Sequence, residues 1–217
     1  RLRRLEMMTR IAGSEAWARA AGDSALFLTL TTPSRFHRYS GSGEPNPRYT
    51  GATPREAQHW LRDTWAKVRA ALHRRGIRPY GVRVAEPHHD GTPHWHLLLW
   101  VDPDHAADLV EIARAYALAD AGDEPGASRY RLDVQEIDPA RGSATGYVAK
   151  YVSKSIDGQG VAGDMESGEP ADEAAERVRA WASTWGIRQF QFIGLPPVGV
   201  WREARRADQG APAGNAL

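Results

Sequence analysis

The chain has 217 residues, 28 of them basic and 27 acidic, and no cysteine, so it suits one domain with a substantial core and excludes disulfides and thiolate metal sites. A net charge of +1 is by itself no argument for a polyanionic partner. No apolar run approaches the ~18 residues of a membrane span, and the start, Arg1-Leu2-Arg3-Arg4-Leu5, lacks the apolar stretch of a signal peptide, so a cytoplasmic protein without a membrane anchor is expected.

The chain opens without methionine, as a segment of a longer protein does. Residues 1–24 read as an N-terminal helical segment, with Leu5, Met8, Ile11 and Ala12 on one side. The run 25–32 is apolar and β-branched, stops at Pro33, and predicts a buried strand. A Gly- and Pro-rich loop over 40–53 leads to Thr53-Pro54, an N-cap followed by proline in the first helical turn. Trp60, Leu61, Trp65, Val68 and Leu72 then recur at helical spacing until Gly76.

Residues 80–86 and 94–101 predict two strands joined by a hairpin-like connection around Asp90-Gly91. A helix over 104–118, a loop over 119–128 and a strand over 130–137 follow. Next come a helix over 143–156 and an acidic, Gly-rich insertion over 157–171, read as mobile. A helix over 174–184, a strand over 187–193, a short helix over 198–206 and a disordered tail over 207–217 complete the chain. A hairpin among strands and helices in this order predicts an α+β fold with a mostly antiparallel sheet flanked by helices.

Two stretches carry chemistry. Alternation along a strand puts His94 and His96 on one face with Trp95 on the other, at the mouth of a run (97–101) apolar on both faces. Taken alone, His-x-His more often marks a hydrogen-bonded pair at a strand end. Glu86, ending the preceding strand, adds a carboxylate, and two imidazoles with one carboxylate suit Mn²⁺ or Mg²⁺. A two-residue Asp90-Gly91 turn would pair Glu86 with Trp95 and turn the carboxylate away. Pro87 and Pro93 resist ladder pairing, so a longer connection that restores the register is expected. His88 and His89 read as exposed or DNA-facing rather than as ligands.

On the helix over 143–156, Tyr147, Lys150, Tyr151 and Lys154 share one arc, with Val148, Val152, Ala149 and Ile156 on the opposing stripe. A phenol attacks a phosphate only with help from a base, a cation or a metal-polarised substrate. Two of the three lysines in this arginine-rich chain flank Tyr151, where they can stabilise developing charge.

The strand Phe27-Leu28-Thr29-Leu30-Thr31, the run from Glu86 to His96 and the run from Gly146 to Lys154 resemble, in that order, the three motifs of the HUH endonucleases. The match is closest to the phage replication gene A proteins, and segments 181–194 and 196–203 resemble that family's downstream region. The resemblance covers 25–206, read as the HUH endonuclease domain. It implies a five-stranded antiparallel sheet with a metal site of His94, His96 and Glu86. It implies that Tyr147 and Tyr151 alternate as nucleophiles in a site-specific single-strand DNA endonuclease and ligase that initiates rolling-circle replication through a 5′-phosphotyrosine. Its partners would be single-stranded origin DNA, a separate helicase and the replication polymerase, in the bacterial host cytoplasm. Arg35, His37, Arg38, Arg48 and Arg83 are the candidate DNA contacts. A two-tyrosine transposase, an inactive single-strand nucleic-acid-binding module and a water-using metal hydrolase are the alternatives.

Overall fold

The computed structural model describes residues 2–140, 142–156 and 171–210; the side chains of residues 2, 3, 150, 154, 155, 171 and 208–210 are not described. The elements run α1 (Leu2–Ala21), β1 (Ser24–Leu30), α2 (Pro54–Arg74), β2 (Tyr80–Pro87), β3 (Pro93–Val101), α3 (Pro103–Leu118), α4 (Ala127–Tyr130), β4 (Leu132–Glu136), α5 (Ala144–Ile156), α6 (Ala171–Trp185), β5 (Phe190–Ile193) and α7 (Val198–Gly210). The strands form one open sheet in the order β4-β1-β3-β2-β5, and every neighbouring pair is antiparallel. The expected α+β architecture with a five-stranded antiparallel sheet is therefore what the chain adopts.

Both sheet faces are covered, which is why 97–101 is apolar at every position. One face packs Leu28, Leu97 and Leu99 against Leu61, Val68 and Leu72 of α2 and Leu109 of α3. The other packs Phe27, Val82, Val84 and Leu98 against Met7 and Ile11 of α1 and Val148 and Val152 of α5. Each fully buried aliphatic side chain stabilises the fold by roughly 1.5–3 kcal/mol relative to exposure. At Gly81 the two central strands approach so closely that a Cβ would lie 1.9 Å from the Leu98 carbonyl oxygen, and only glycine fits.

Helix starts follow local chemistry. Thr53 caps α2 and exchanges hydrogen bonds with Glu56 in a capping box, with Pro54 in the first turn. Asp102 caps α3 by accepting from the Asp104 N–H.

Several elements differ from the expected ones. The buried stripe of α1 is Met7, Ile11, Ser14 and Ala18, while Leu5 is 52% exposed. The i, i+4 row through Ile11 faces the sheet, a choice that a helix rich in alanine and arginine leaves open. The strand expected from Tyr130 begins at Leu132, because Gly126 (φ 84°) turns the chain into the short α4. The last strand is only Phe190–Ile193. Helix α7 continues to Gly210, past the Arg206 boundary, so the first residues of the expected tail are helical and 211–217 lie outside the described residues. The insertion expected over 157–171 falls outside them too, apart from Ala171, which opens α6. No described helix is long and apolar enough to cross a membrane.

Candidate active site

The β2–β3 register decides which face Glu86 shares. The strands pair Val84 with His96, Glu86 with His94 and Pro87 with Pro93. Beyond them the His88 N–H donates to the Thr92 carbonyl at 2.8 Å and the Gly91 N–H to the His88 carbonyl at 2.9 Å, with Gly91 left-handed at φ 82°. This is a three-residue loop closed by a glycine bulge, one residue longer than a two-residue turn. That one residue places Glu86 on the histidine face. The prolines do face each other, at a rung next to the hydrogen-bonded His88–Thr92 pair, where their missing N–H groups cost no bond between the two strands.

Three donor atoms converge as a result: one each from Glu86, His94 and His96, all within 4.8 Å of one another. The two imidazole Nε2 atoms are 2.9 Å apart, and His96 Nε2 is 3.8 Å from a Glu86 carboxylate oxygen. Glu86 and His96 are each 7% exposed. His96 Nδ1 lies 3.1 Å from Thr29 Oγ1 on the neighbouring strand β1. In the tautomer that donates Nδ1–H to Thr29, the Nε2 lone pair points toward Glu86 and His94. A 2.9 Å spacing serves an N–H···N bond when one ring is protonated there, and adjacent ligands of one ion when both offer lone pairs. With the Glu86 carboxylate the two imidazoles make a mixed N/O donor set, and this nearly buried set can hold a divalent metal ion.

Helix α5 brings the phenols to this face. Its first N–H groups, of Ala144 and Thr145, donate to the Glu15 carboxylate of α1, both at 2.9 Å, and Gly146 N–H donates to Ser143 Oγ. Burial alone would raise the Glu15 carboxyl, but its hydrogen bonds with Thr145 and from Ala144 hold it below the usual range. Burying Ala144, Val148, Val152 and Ile156 against the sheet turns Tyr147 and Tyr151 toward the site. The Tyr151 ring lies 4.2 Å from the His96 ring and stacks on Phe27 at 5.2 Å. Tyr147 meets Phe27 edge-on at 4.7 Å, and its hydroxyl donates to Gln135 Oε1 of β4. Lys150 and Lys154 are on α5, but their side chains lie outside the described residues.

The expected DNA contacts divide. Arg38 and Arg48 are exposed, whereas Arg35 is held by Asp120, 2.6 Å away. His37 is half-buried, with Nδ1 3.3 Å from Asp90 and Nε2 3.1 Å from Thr32 Oγ1. With Tyr39, Asn46, Arg48, His88 and Tyr130 it lines a cavity of about 400 Å³ beside the histidines. Arg83 is not on this face. It is 3% exposed beneath α2, with its guanidinium 4.2 Å from the Trp95 ring, because an odd offset from Glu86 turns it through the sheet. His88 also departs from expectation: it packs 4.0 Å from the His94 ring rather than facing outward, and burial pushes its imidazole down to about 4. His89 is exposed.

Sequence reasoning missed Thr29, Gln135 and Glu15 as positioning residues. The one available signal was a hydroxyl inside the apolar strand β1; Gln135 and Glu15 come from distant segments. Asp90 does more than turn the chain. Its side chain is fully buried and accepts from the Arg38 and Thr92 N–H groups, both at 3.0 Å, besides meeting His37. Burial would raise this carboxyl, but the hydrogen bonds from His37 and Thr92 outweigh it and hold it well below the usual range. Asp90→Asn is expected to cost about 1–3 kcal/mol at neutral pH. A carboxyl depressed in the fold stabilises above its unfolded pKa of about 4 and loses that contribution as pH falls below it. In thermal denaturation the gap between wild type and variant should therefore narrow from pH 7 to pH ~3; a gap independent of pH would contradict the assignment.

The sequence profile of the bacteriophage replication gene A protein family matches residues 1–159. The chain is 48% identical over 212 residues to the Replication protein of Haemophilus phage HP1, covering 96% of this chain and 27% of that protein. It is 49% identical over 210 residues to the Replication gene A protein of Escherichia phage 186, covering 94% of this chain and 30% of that protein. It is 45% identical over 206 residues to a Salmonella typhimurium protein named Probable replication endonuclease from prophage-like region, covering 94% and 26%. The chain thus spans about a quarter to a third of the length of the curated relatives it matches. No solved structure matches it.

Proposed function

This chain belongs to the bacteriophage replication gene A protein family, and on that premise we propose that it nicks and rejoins single-stranded origin DNA to start rolling-circle replication. The observation that carries this reading is the convergence of Glu86, His94 and His96 within 4.8 Å, with the Tyr151 ring 4.2 Å from that of His96. The name of the Salmonella relative, a replication endonuclease, supports the same chemistry.

In this reading His94, His96 and Glu86 would hold Mn²⁺ or Mg²⁺. A cation held there would supply Lewis-acid charge to make the scissile phosphate more electrophilic. Thr29 keeps His96 in its ligand tautomer, and Phe27 fixes both phenol rings by contact. Tyr151, whose ring meets that of His96, is assigned the first attack. Its Oη–P bond forms as the P–O3′ bond breaks, and the phenol proton ends on the departing 3′ oxygen. The 5′ end stays as a phosphotyrosine and a 3′-OH is freed to prime synthesis. Tyr147, held by Gln135 until then, makes the second cut on the regenerated origin. The new 3′-OH then attacks the first phosphotyrosine, restoring the Tyr151 phenol and closing the displaced strand. Lys150 and Lys154 are assigned, from their places on α5, to the charge that develops on the phosphate. Arg38, Arg48 and His37 are assigned to the strand entering the site. Unwinding and synthesis in a host cytoplasm belong to a separate helicase and polymerase in this account.

The test is incubation with single-stranded origin oligonucleotides and Mn²⁺, with and without chelator, on denaturing gels. A slow-migrating covalent adduct that chelator prevents is expected. Nicking without an adduct would indicate hydrolysis by water, and binding alone an inactive module; either would overturn the reading.

A further inference from the structure

On the sheet face opposite the histidines, α2 and the β5 edge enclose a second cleft of about 900 Å³. Arg62, Arg69, Arg74, Arg78 and Arg83 line it, and no acidic residue does among the described residues. In a chain with 28 basic and 27 acidic residues this segregation is local, not a reflection of composition. Arg69 and Arg74 are exposed. Among the described residues Arg62 is engaged only by its exposed neighbour Asp63, a contact that solvent largely screens.

The floor is aromatic and carries unspent donors. Trp65 and Trp95 are buried there, and Arg83 stacks over Trp95. Arg83 spends one terminal nitrogen on the Arg188 carbonyl and Gln191, while its Nε and other terminal nitrogen are buried with no acceptor among the described residues. Trp65 Nε1 is in the same condition. Burial pushes the Arg83 guanidinium down to about 10, so it stays charged at neutral pH.

We propose that this cleft binds the phosphate backbone of DNA flanking the cut strand, as a site separate from the metal and tyrosine site. The proposal rests on the DNA-nicking reading for its ligand. Arginine forks match phosphate oxygens bidentately, and a cleft lined by one sign of charge over a low-dielectric floor concentrates a polyanion. The two sites are back to back on the same strands. Trp95 lies between His94 and His96 and points the other way, and Arg83 is three residues before Glu86. A DNA segment that leaves the histidine face around the β5 edge therefore meets the arginines.

The test compares the whole chain with Arg69→Glu/Arg74→Glu. Binding is read by fluorescence anisotropy on a short oligonucleotide confined to the cut site and on longer DNA, single-stranded or with a duplex flank. The variant is expected to lose about tenfold in affinity for the longer DNA. The slope of log affinity against log salt should become shallower by about 1.5, for two lost phosphate contacts. Cleavage of the short oligonucleotide should be unchanged, and Arg205→Glu/Arg206→Glu on α7, an equal charge change at exposed positions, should leave long-DNA affinity within about twofold. Whichever longer DNA shows the loss identifies the form bound. An unchanged salt slope, or an equal loss in the α7 variant or on the short oligonucleotide, overturns the proposal. If the wild type does not nick but the selective loss persists, the nicking reading falls and the cleft stands. If nicking is intact and long-DNA binding unaltered, the reverse holds.

Discussion

Replacing both His94 and His96 by alanine is expected to lower cleavage at least about 10³-fold, a loss of roughly 4 kcal/mol or more of transition-state stabilisation. Two of the three converging donors disappear, and Glu86 alone offers one carboxylate in a nearly buried position. DNA binding should remain measurable, because Arg38 and Arg48 project from another segment. The fold should also survive. Removing one half-buried imidazole (His94) and one buried one (His96) at a strand mouth leaves the apolar run Leu97–Val101 and its contacts in place. Metal-dependent cutting that persists in the double variant would refute the metal site. A second comparison separates ligand from scaffold: Thr29→Val keeps all three donors but removes the acceptor for His96 Nδ1. It should raise the Mn²⁺ concentration needed for half-maximal cleavage by about 10–100-fold and leave the fold unchanged.

The tyrosines should behave as a pair. Tyr151→Phe keeps the stack on Phe27 and the contact with His96 while removing the proposed first nucleophile. Some cleavage should remain, because Tyr147 shares the Phe27 platform and can take over. Tyr147→Phe should leave the first cut nearly intact but block the second, so that adduct accumulates and circular product does not form. Its stability cost should be about 1 kcal/mol, from the lost hydrogen bond to Gln135. The double variant should leave no adduct. Adduct formation by that double variant on denaturing gels would place the nucleophile elsewhere.

Much of this site was legible because it rests on short-range periodicity. Alternation along a strand put His94 and His96 on one face, and helical spacing put Tyr147 beside Tyr151. What was not legible depended on contacts distant in sequence. Asp-Gly suits both a two-residue and a three-residue loop, and those choices send Glu86 to opposite faces. The longer loop is accompanied by Asp90 binding His37 and the Arg38 N–H, more than fifty residues away. Arg83 is the opposite case. Its odd offset from Glu86 already placed it on the other face, but a charge in a strand beside a metal motif reads more readily as a contact on the metal face, where Arg83 does not lie. The Gln135–Tyr147 bond required knowing that β4 pairs with β1 at the sheet edge, which neither segment announces.

A covalent tyrosine–DNA bond at this site would show itself in mass analysis of the linked peptide. Trypsin cuts after Arg141, Lys150 and Lys154, which separates Tyr147 and Tyr151 into adjacent peptides, 142–150 and 151–154. After reaction with origin oligonucleotide and nuclease trimming, a nucleotide mass is expected on Tyr151, carried by 151–154 or by an undigested 142–154. In Tyr151→Phe the mass should move to Tyr147. A nucleotide mass on any other residue, or cleaved DNA with none on either tyrosine, would contradict it.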